Sequence, residues 1–185
     1  PVPPRGMRDL LPAEVLQRRH LLETIMAVYE RYGFQQIETP LVEEIDRLLG
    51  SDGGENEKLV YKVLKRGLDW PPASEQDAVD LGLRFDLTVP LARYFATNSN
   101  QLLMPFKAIQ TGSVFRAERP QKGRYRQFTQ FDIDIIGDSS IAAEIELISA
   151  TSEALRNCKV GDFTIRLNDR RVLESIVESA GYDNR

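Results

Sequence analysis

The 185-residue sequence has one cysteine, Cys158, so no disulfide can form within the chain, and this fits a reducing compartment. It also has one histidine, His20, in a helix-like stretch with no cysteine nearby, so a zinc site is unsupported. His20 reads as a surface or packing residue and Cys158 as an inert one. No apolar run approaches the roughly 20 residues that cross a bilayer as a helix, and no membrane partner is expected. The opening Pro1-Val2-Pro3-Pro4-Arg5-Gly6 lacks the apolar core of a signal peptide. A cytoplasmic protein without a resident metal is the expectation. Basic residues are outnumbered, 24 to 28, and the net charge of −4 argues against coating nucleic acid by bulk electrostatics.

What remains is an ordinary globular composition, 42% hydrophobic and 28% charged, long enough for one domain with a real core. Charge is unevenly placed. Arg116, Arg119, Lys122, Arg124 and Arg126 face a single acid, Glu118, over eleven residues. Such a segment suits a small polyanion, and equally a solvated loop.

Residues 13–32 read as a helix with Leu22, Ile25, Met26, Tyr29 and Tyr32 on one side, Pro12 in the first turn and Gly33 as the stop. Phe34–Thr39 is a short extended run, and 50–57 a loop. Val60–Leu64 and Gly82–Thr88 read as a hairpin with Lys65–Leu81, including Trp70 as a packing residue, at its tip. Val89–Asn98 is a helix, and Phe106–Arg116 and Gln127–Ile136 are the best strands. Ser140 is placed to cap a helix to about Asn157 with Ile145, Ile148 and Leu155 on its apolar side. Phe163, Ile165 and Leu167 alternate as a strand, and Asn168 is placed to cap a last helix near Gly181. Antiparallel pairs with helices between them indicate an α+β fold.

Alternation places side chains two apart on one face of a strand. In Leu83–Thr88 the apolar set is Leu83, Phe85 and Leu87; the polar set is Arg84, Asp86 and Thr88, with carboxylate and hydroxyl about 7 Å apart along the strand. In Gln127–Ile136, Phe131, Ile133 and Ile135 oppose Phe128, Gln130, Asp132 and Asp134. A solvated sheet face explains such a pattern by itself. If Phe106–Arg116 pairs with it, however, Arg116 and Arg124 stand beside carboxylates and an aromatic ring. A guanidinium forks onto phosphate and stays charged, so the set describes a nucleotide pocket beside a cationic small molecule. Asp132 faces the same way without an assignable ligand.

These residues carry a resemblance. Val114-Phe115-Arg116-Ala117-Glu118-Arg119-Pro120-Gln121-Lys122-Gly123-Arg124-Tyr125-Arg126-Gln127-Phe128 is similar to motif 2 of histidyl-tRNA synthetases, nearly without departure. Tyr32–Pro40 resembles motif 1 of class II synthetases, Gly6–Pro12 the family's N-terminal signature, and Arg84-Phe85-Asp86-Leu87-Thr88 its histidine-binding strand in the Arg-Tyr-Asp-Leu-Thr form. The resemblance covers essentially the whole chain. It implies a class II α+β domain, an antiparallel sheet flanked by helices, with residues 1–185 as the N-terminal portion of the catalytic domain.

It further implies ATP-dependent activation of histidine to histidyl-adenylate, with magnesium, and transfer to tRNA(His) by a cytoplasmic homodimer whose interface includes Pro40. Asp86, Leu87, Thr88, Arg116, Gln130 and Asp134 would bind histidine. Arg116, Glu118, Arg124 and Phe128 would bind ATP, and Arg116 would be catalytic. The rival within the resemblance is the synthetase-like regulatory subunit of ATP phosphoribosyltransferase, but such paralogues erode the ATP loop, and here it is intact. A generic nucleic-acid module built on Arg119–Arg126 is the third reading. The family's second histidine segment, glycine-rich motif 3 and anticodon-binding domain do not occur before Arg185. Residues 1–185 alone are therefore expected to support ATP–pyrophosphate exchange far below the rate of an intact synthetase; a comparable rate would overturn that.

Overall fold

A computed structural model describes residues 1–50, 56–68 and 71–181 of the chain. Trp70 and most of the expected 50–57 loop lie outside the described residues.

Helix α1 (Pro12–Arg31) begins where the Glu14 carboxylate accepts the Leu11 N–H at 2.8 Å. It stops where Gly33 takes φ +82°, a left-handed geometry that lets the Phe34 N–H reach the Tyr29 carbonyl at 3.1 Å. There follow β1 (Gln35–Gln36), β2 (Val42–Glu44), α2 (Ile45–Leu49), β3 (Tyr61–Leu64), α3 (Glu75–Ala78), β4 (Val79–Leu83) and α4 (Thr88–Asn98). The long strands β5 (Phe106–Phe115) and β6 (Gln127–Ile136) then precede α5 (Ile141–Asn157) and α6 (Arg170–Ser179).

The strands form two sheets, ordered β1-β5-β6 and β2-β4-β3. Every pair is antiparallel except β1 with β5. The α+β class stands, with one parallel pair beside the expected antiparallel ones.

The odd-numbered residues of β5 and β6 turn toward α1 and α5. Ile109 packs with Val28, Tyr29, Phe34, Ala150 and Ala154, and Phe131, Ile133 and Ile135 close the layer. Rings of Tyr29 and Phe131 sit 5.6 Å apart. On the other face, α4 covers only the far end of the sheet, where Leu91, Tyr94 and Phe95 meet Phe106 and Ala108. A third cluster of Leu48, Val60 and Phe85 joins the second sheet to the segment after β4. Each side chain of this size contributes about 1.5–3 kcal/mol when fully buried. The end of the even face beyond α4 is left for polar groups.

Several expectations are corrected. The strand read over Gly82–Thr88 ends at Leu83, because the Arg84 N–H turns to the Leu41 carbonyl while its own carbonyl accepts from Phe115. Asp86 then accepts the Thr88 N–H at 2.8 Å and starts α4. The tip assigned to Lys65–Leu81 contains α3 and the start of β4.

In α5 the buried residues are Ala143, Ala150 and Ala154, and Ile145 is 57% exposed; small side chains let the helix lie close to its neighbours. Ser140 occupies the cap position without a capping bond from its side chain. In residues 163–167, Phe163 and Ile165 are half-buried but Leu167 is exposed, and the run forms no ladder, having no neighbouring strand among the described residues. The last helix is capped by the Asp169 carboxylate, which accepts the Arg171 N–H at 2.9 Å, and not by Asn168.

Candidate functional site

The β5–β6 register pairs Val114 with Phe128, Gly112 with Gln130, Gln110 with Asp132 and Ala108 with Asp134. The seven side chains and the Gly112 position therefore share the face opposite α1 and α5. Residues 84–88 cross this face. The Gln130 amide donates to the Asp86 carboxylate at 3.0 Å and to Asp132 at 2.9 Å. Its Oε1 is buried without a hydrogen-bond partner.

Arg116 follows the end of β5. Its Nε donates to the Phe85 carbonyl at 3.1 Å, its Nη2 lies 3.6 Å from Asp86, and its guanidinium stands 5.1 Å from the centre of the Phe128 ring. Beyond it a cavity of about 240 Å³ is lined by Arg116, Glu118, Arg124, Tyr125 and Phe128 among others. The basic loop around that cavity is tied down. Arg116 N–H donates to the Arg126 carbonyl at 2.8 Å, Arg126 N–H to Gly6 at 2.7 Å, and Arg126 Nε to the Glu118 carbonyl at 2.9 Å. Arg8 stacks over Tyr125, 4.5 Å from its ring centre. Arg124 pairs with Glu118 at 3.2 Å, and both reach solvent, so the pair is replaceable by a ligand.

Of the residues expected at a site, Asp86 meets both Arg116 and Gln130. Phe128 and Asp134 share the sheet face, and Glu118 and Arg124 line the adjoining cavity. Leu87 is buried at 1% exposure, and its carbonyl is taken by the Gln110 amide at 3.1 Å, so its side chain does not reach the site. Thr88 is exposed at the start of α4. Pro40 is exposed on the segment after β1, its carbonyl accepting from Arg84 at 3.3 Å. Arg84 belongs by alternation to the open polar face; it is instead 5% exposed, its guanidinium packed down over Gly112 of β5. Alternation gives the side of the strand for Gln110 and Arg84 but not their burial, because the partners that cover them lie far away in the chain.

The electrostatics separate the three carboxylates. Burial works to raise Asp86, but hydrogen bonds from Thr88 and Gln130, aided by Arg116, outweigh it and hold the carboxyl below its usual range. Asp132 is pushed up to about 6 by burial and then by Asp86 and Asp134. Asp134 is raised as well, by burial and then by Asp86. One carboxylate is kept ionised, and two beside it gain from a cation.

Comparison with known proteins matches residues 6–185 to the family model described as histidyl-tRNA synthetase. The chain belongs to the histidyl-tRNA synthetase family. It is 52% identical over 187 residues to the histidine–tRNA ligase of Leifsonia xyli, a match covering 97% of this chain and 43% of that protein. The chain thus spans under half the length of such relatives. Among solved structures, the histidyl-tRNA synthetase of Nostoc sp. PCC 7120 superposes with a TM-score of 0.81 at 35% identity, over 98% of this chain and 40% of that one. A Bacillus halodurans structure described as an ATP phosphoribosyltransferase regulatory subunit/histidyl-tRNA synthetase gives 0.70 at 26%, over 86% and 38%.

The Asp132 carboxyl yields a stability test. A carboxyl whose folded pKa is raised stabilises the fold at low pH, and the stability is lost as pH rises through the folded value, here about 6. Asp132→Asn is expected to unfold later than the parent at pH 8, by about 1 kcal/mol after allowance for solvent screening. The difference should vanish near pH 4. Thermal melts across that range check it, and a pH-independent gap would dismiss the assignment.

Proposed function

We propose that the protein containing this chain is a histidine–tRNA ligase, with residues 1–185 as the N-terminal portion of its catalytic domain. It would activate histidine with ATP to histidyl-adenylate and transfer the histidyl group to tRNA(His). The observation that carries this reading is the place of Arg116, whose one guanidinium lies between the Asp86–Gln130 face and the cavity walled by Phe128 and Arg124. Asp86 and the free Gln130 Oε1 suit an α-ammonium group, Thr88 adds a hydroxyl, and Leu87 holds the segment down. Asp134, on the same face, suits an imidazole N–H.

In the reaction a histidine carboxylate oxygen attacks the α-phosphorus of ATP, a new P–O bond forms, and pyrophosphate departs with the electron pair of the broken bond. Arg116 then faces the carboxylate and the α-phosphate at once, and a donor already fixed costs no reorganisation as charge builds. Arg124 and Glu118 engage the nucleotide and Phe128 stacks on its base. Placement of the two substrates supplies much of the rate. Magnesium enters with the ATP phosphates as part of that substrate; among the described residues no group of three His, Cys, Asp or Glu side chains is arranged to hold a metal. A homodimer meeting at Pro40, working in the cytoplasm, completes the reading.

In the full-length protein, Arg116→Ala is expected to lower histidine-dependent ATP–pyrophosphate exchange by about a hundredfold or more, as for loss of a fixed transition-state donor. Near-normal exchange would sink the role of Arg116, and no adenylate at all from the parent would favour the regulatory-subunit alternative. Asp134→Asn should raise the histidine KM and leave that for ATP nearly unchanged, because an amide cannot replace the carboxylate's acceptor pair. An unaltered histidine KM would count against it.

A further inference from the structure

Arg84 is 5% exposed, and among the described residues no carboxylate lies within ion-pairing distance of it. Carbonyl groups hold it instead. Its Nε donates to the Ser113 carbonyl at 3.0 Å, and its Nη1 donates to the Thr39 carbonyl at 2.9 Å, the Thr39 hydroxyl at 3.0 Å and the Pro40 carbonyl at 3.3 Å. Its Nη2 lies over Gly112, 2.2 Å from where a Cβ would stand. The main chain repeats the bridge, with the Arg84 N–H on Leu41 and its carbonyl on the Phe115 N–H, both at 2.9 Å. Burying a lone guanidinium is a costly way to fill space, and a methionine would do so without the desolvation. What the guanidinium adds is a rigid fork with donors in fixed directions.

We propose that Arg84 is a positioning residue that ties the Thr39–Leu41 segment to the end of β5 and thereby sets Asp86 against Arg116. Asp86 lies two residues beyond the tether on one side. Arg116 lies next to Phe115 on the other and closes the loop on the Phe85 carbonyl at 3.1 Å. Gly112 is part of the device, because any larger residue would strike a guanidinium that its carbonyl partners hold in place. The proposal rests on the histidine-site reading for its kinetic consequence and on the contacts alone for its structural one.

The test uses the full-length protein with Arg84→Met, Gly112→Ala, Arg84→Lys and the double variant Arg84→Met/Gly112→Ala. In pyrophosphate exchange, per folded active site, Arg84→Met and Gly112→Ala should each raise the histidine KM about tenfold or more, while the ATP KM stays within about twofold. The double variant should be no worse than Arg84→Met, since Gly112→Ala acts by displacing a group already removed. Arg84→Lys, reaching one side of the bridge, should fall between. Amide exchange at residues 85–88 should quicken in Arg84→Met without any substrate. A histidine KM unchanged in folded Arg84→Met, additive losses in the double variant, or full activity with lysine would each overturn the proposal. If Arg84→Met does not fold, Gly112→Ala and Arg84→Lys carry the same decision. A parent that lacks histidine-dependent exchange would refute the ligase reading, and amide exchange would still decide the tether.

Discussion

The antiparallel register between β5 and β6 is the constraint on which both core and site depend. Ten consecutive pairs, Phe106 with Ile136 through Phe115 with Gln127, assign every side chain of the two strands to one of two faces. A slip of one residue would carry Phe131, Ile133 and Ile135 out of the layer under α1 and α5 and press Gln130, Asp132 and Asp134 into it. The energy of apolar burial on one face thus enforces the arrangement of polar groups on the other. The site needs little stabilisation of its own to hold its geometry, because the core on the reverse side supplies it.

On that polar face the central fact is three carboxyl groups that cannot all be ionised at low energetic cost. Gln130 donates both of its amide hydrogens, one to Asp86 and one to Asp132. Asp86 also receives the Thr88 N–H and lies beside Arg116, so it remains charged, while burial raises Asp132 and Asp134. A ligand bearing an ammonium group and an N–H donor answers this imbalance by chemistry alone. The adjoining cavity has the opposite character, with Arg116 and Arg124 at a wall shared with Phe128. Two regions of opposite charge thus lie side by side, and Arg116 stands between them.

The elements most legible in the sequence were those in which one strong pattern acts alone. Helix α1, with its proline start and glycine stop, and the two long strands needed only periodicity and local chain stops. Readings failed where a second structure competes for the same backbone. Leu83–Thr88 alternates as a strand should, yet the chain leaves the sheet at Arg84 because Leu41 and Phe115 take its hydrogen bonds from two sides. In α5, Ile148 and Leu155 of the expected apolar side are half-buried, but Ile145 is exposed and close packing selected Ala143, Ala150 and Ala154. The 163–167 run has a strand's pattern without a neighbour to bond.

By itself the sequence determined the α+β class, the two faces of β6, the basic segment after β5 and the family, since each is written in residues close together in the chain. It also named Asp86, Arg116, Gln130 and Phe128 as candidates. Only the tertiary structure decided that Asp86, Gln130 and Asp132 share hydrogen bonds, that Leu87 turns inward, and that Arg84 is a buried bridge over Gly112. Periodicity reports which way a side chain leaves its own strand or helix. It carries no information about which distant carbonyl will meet that side chain, and the hydrogen bonds of Arg84 span 29 to 45 residues of chain.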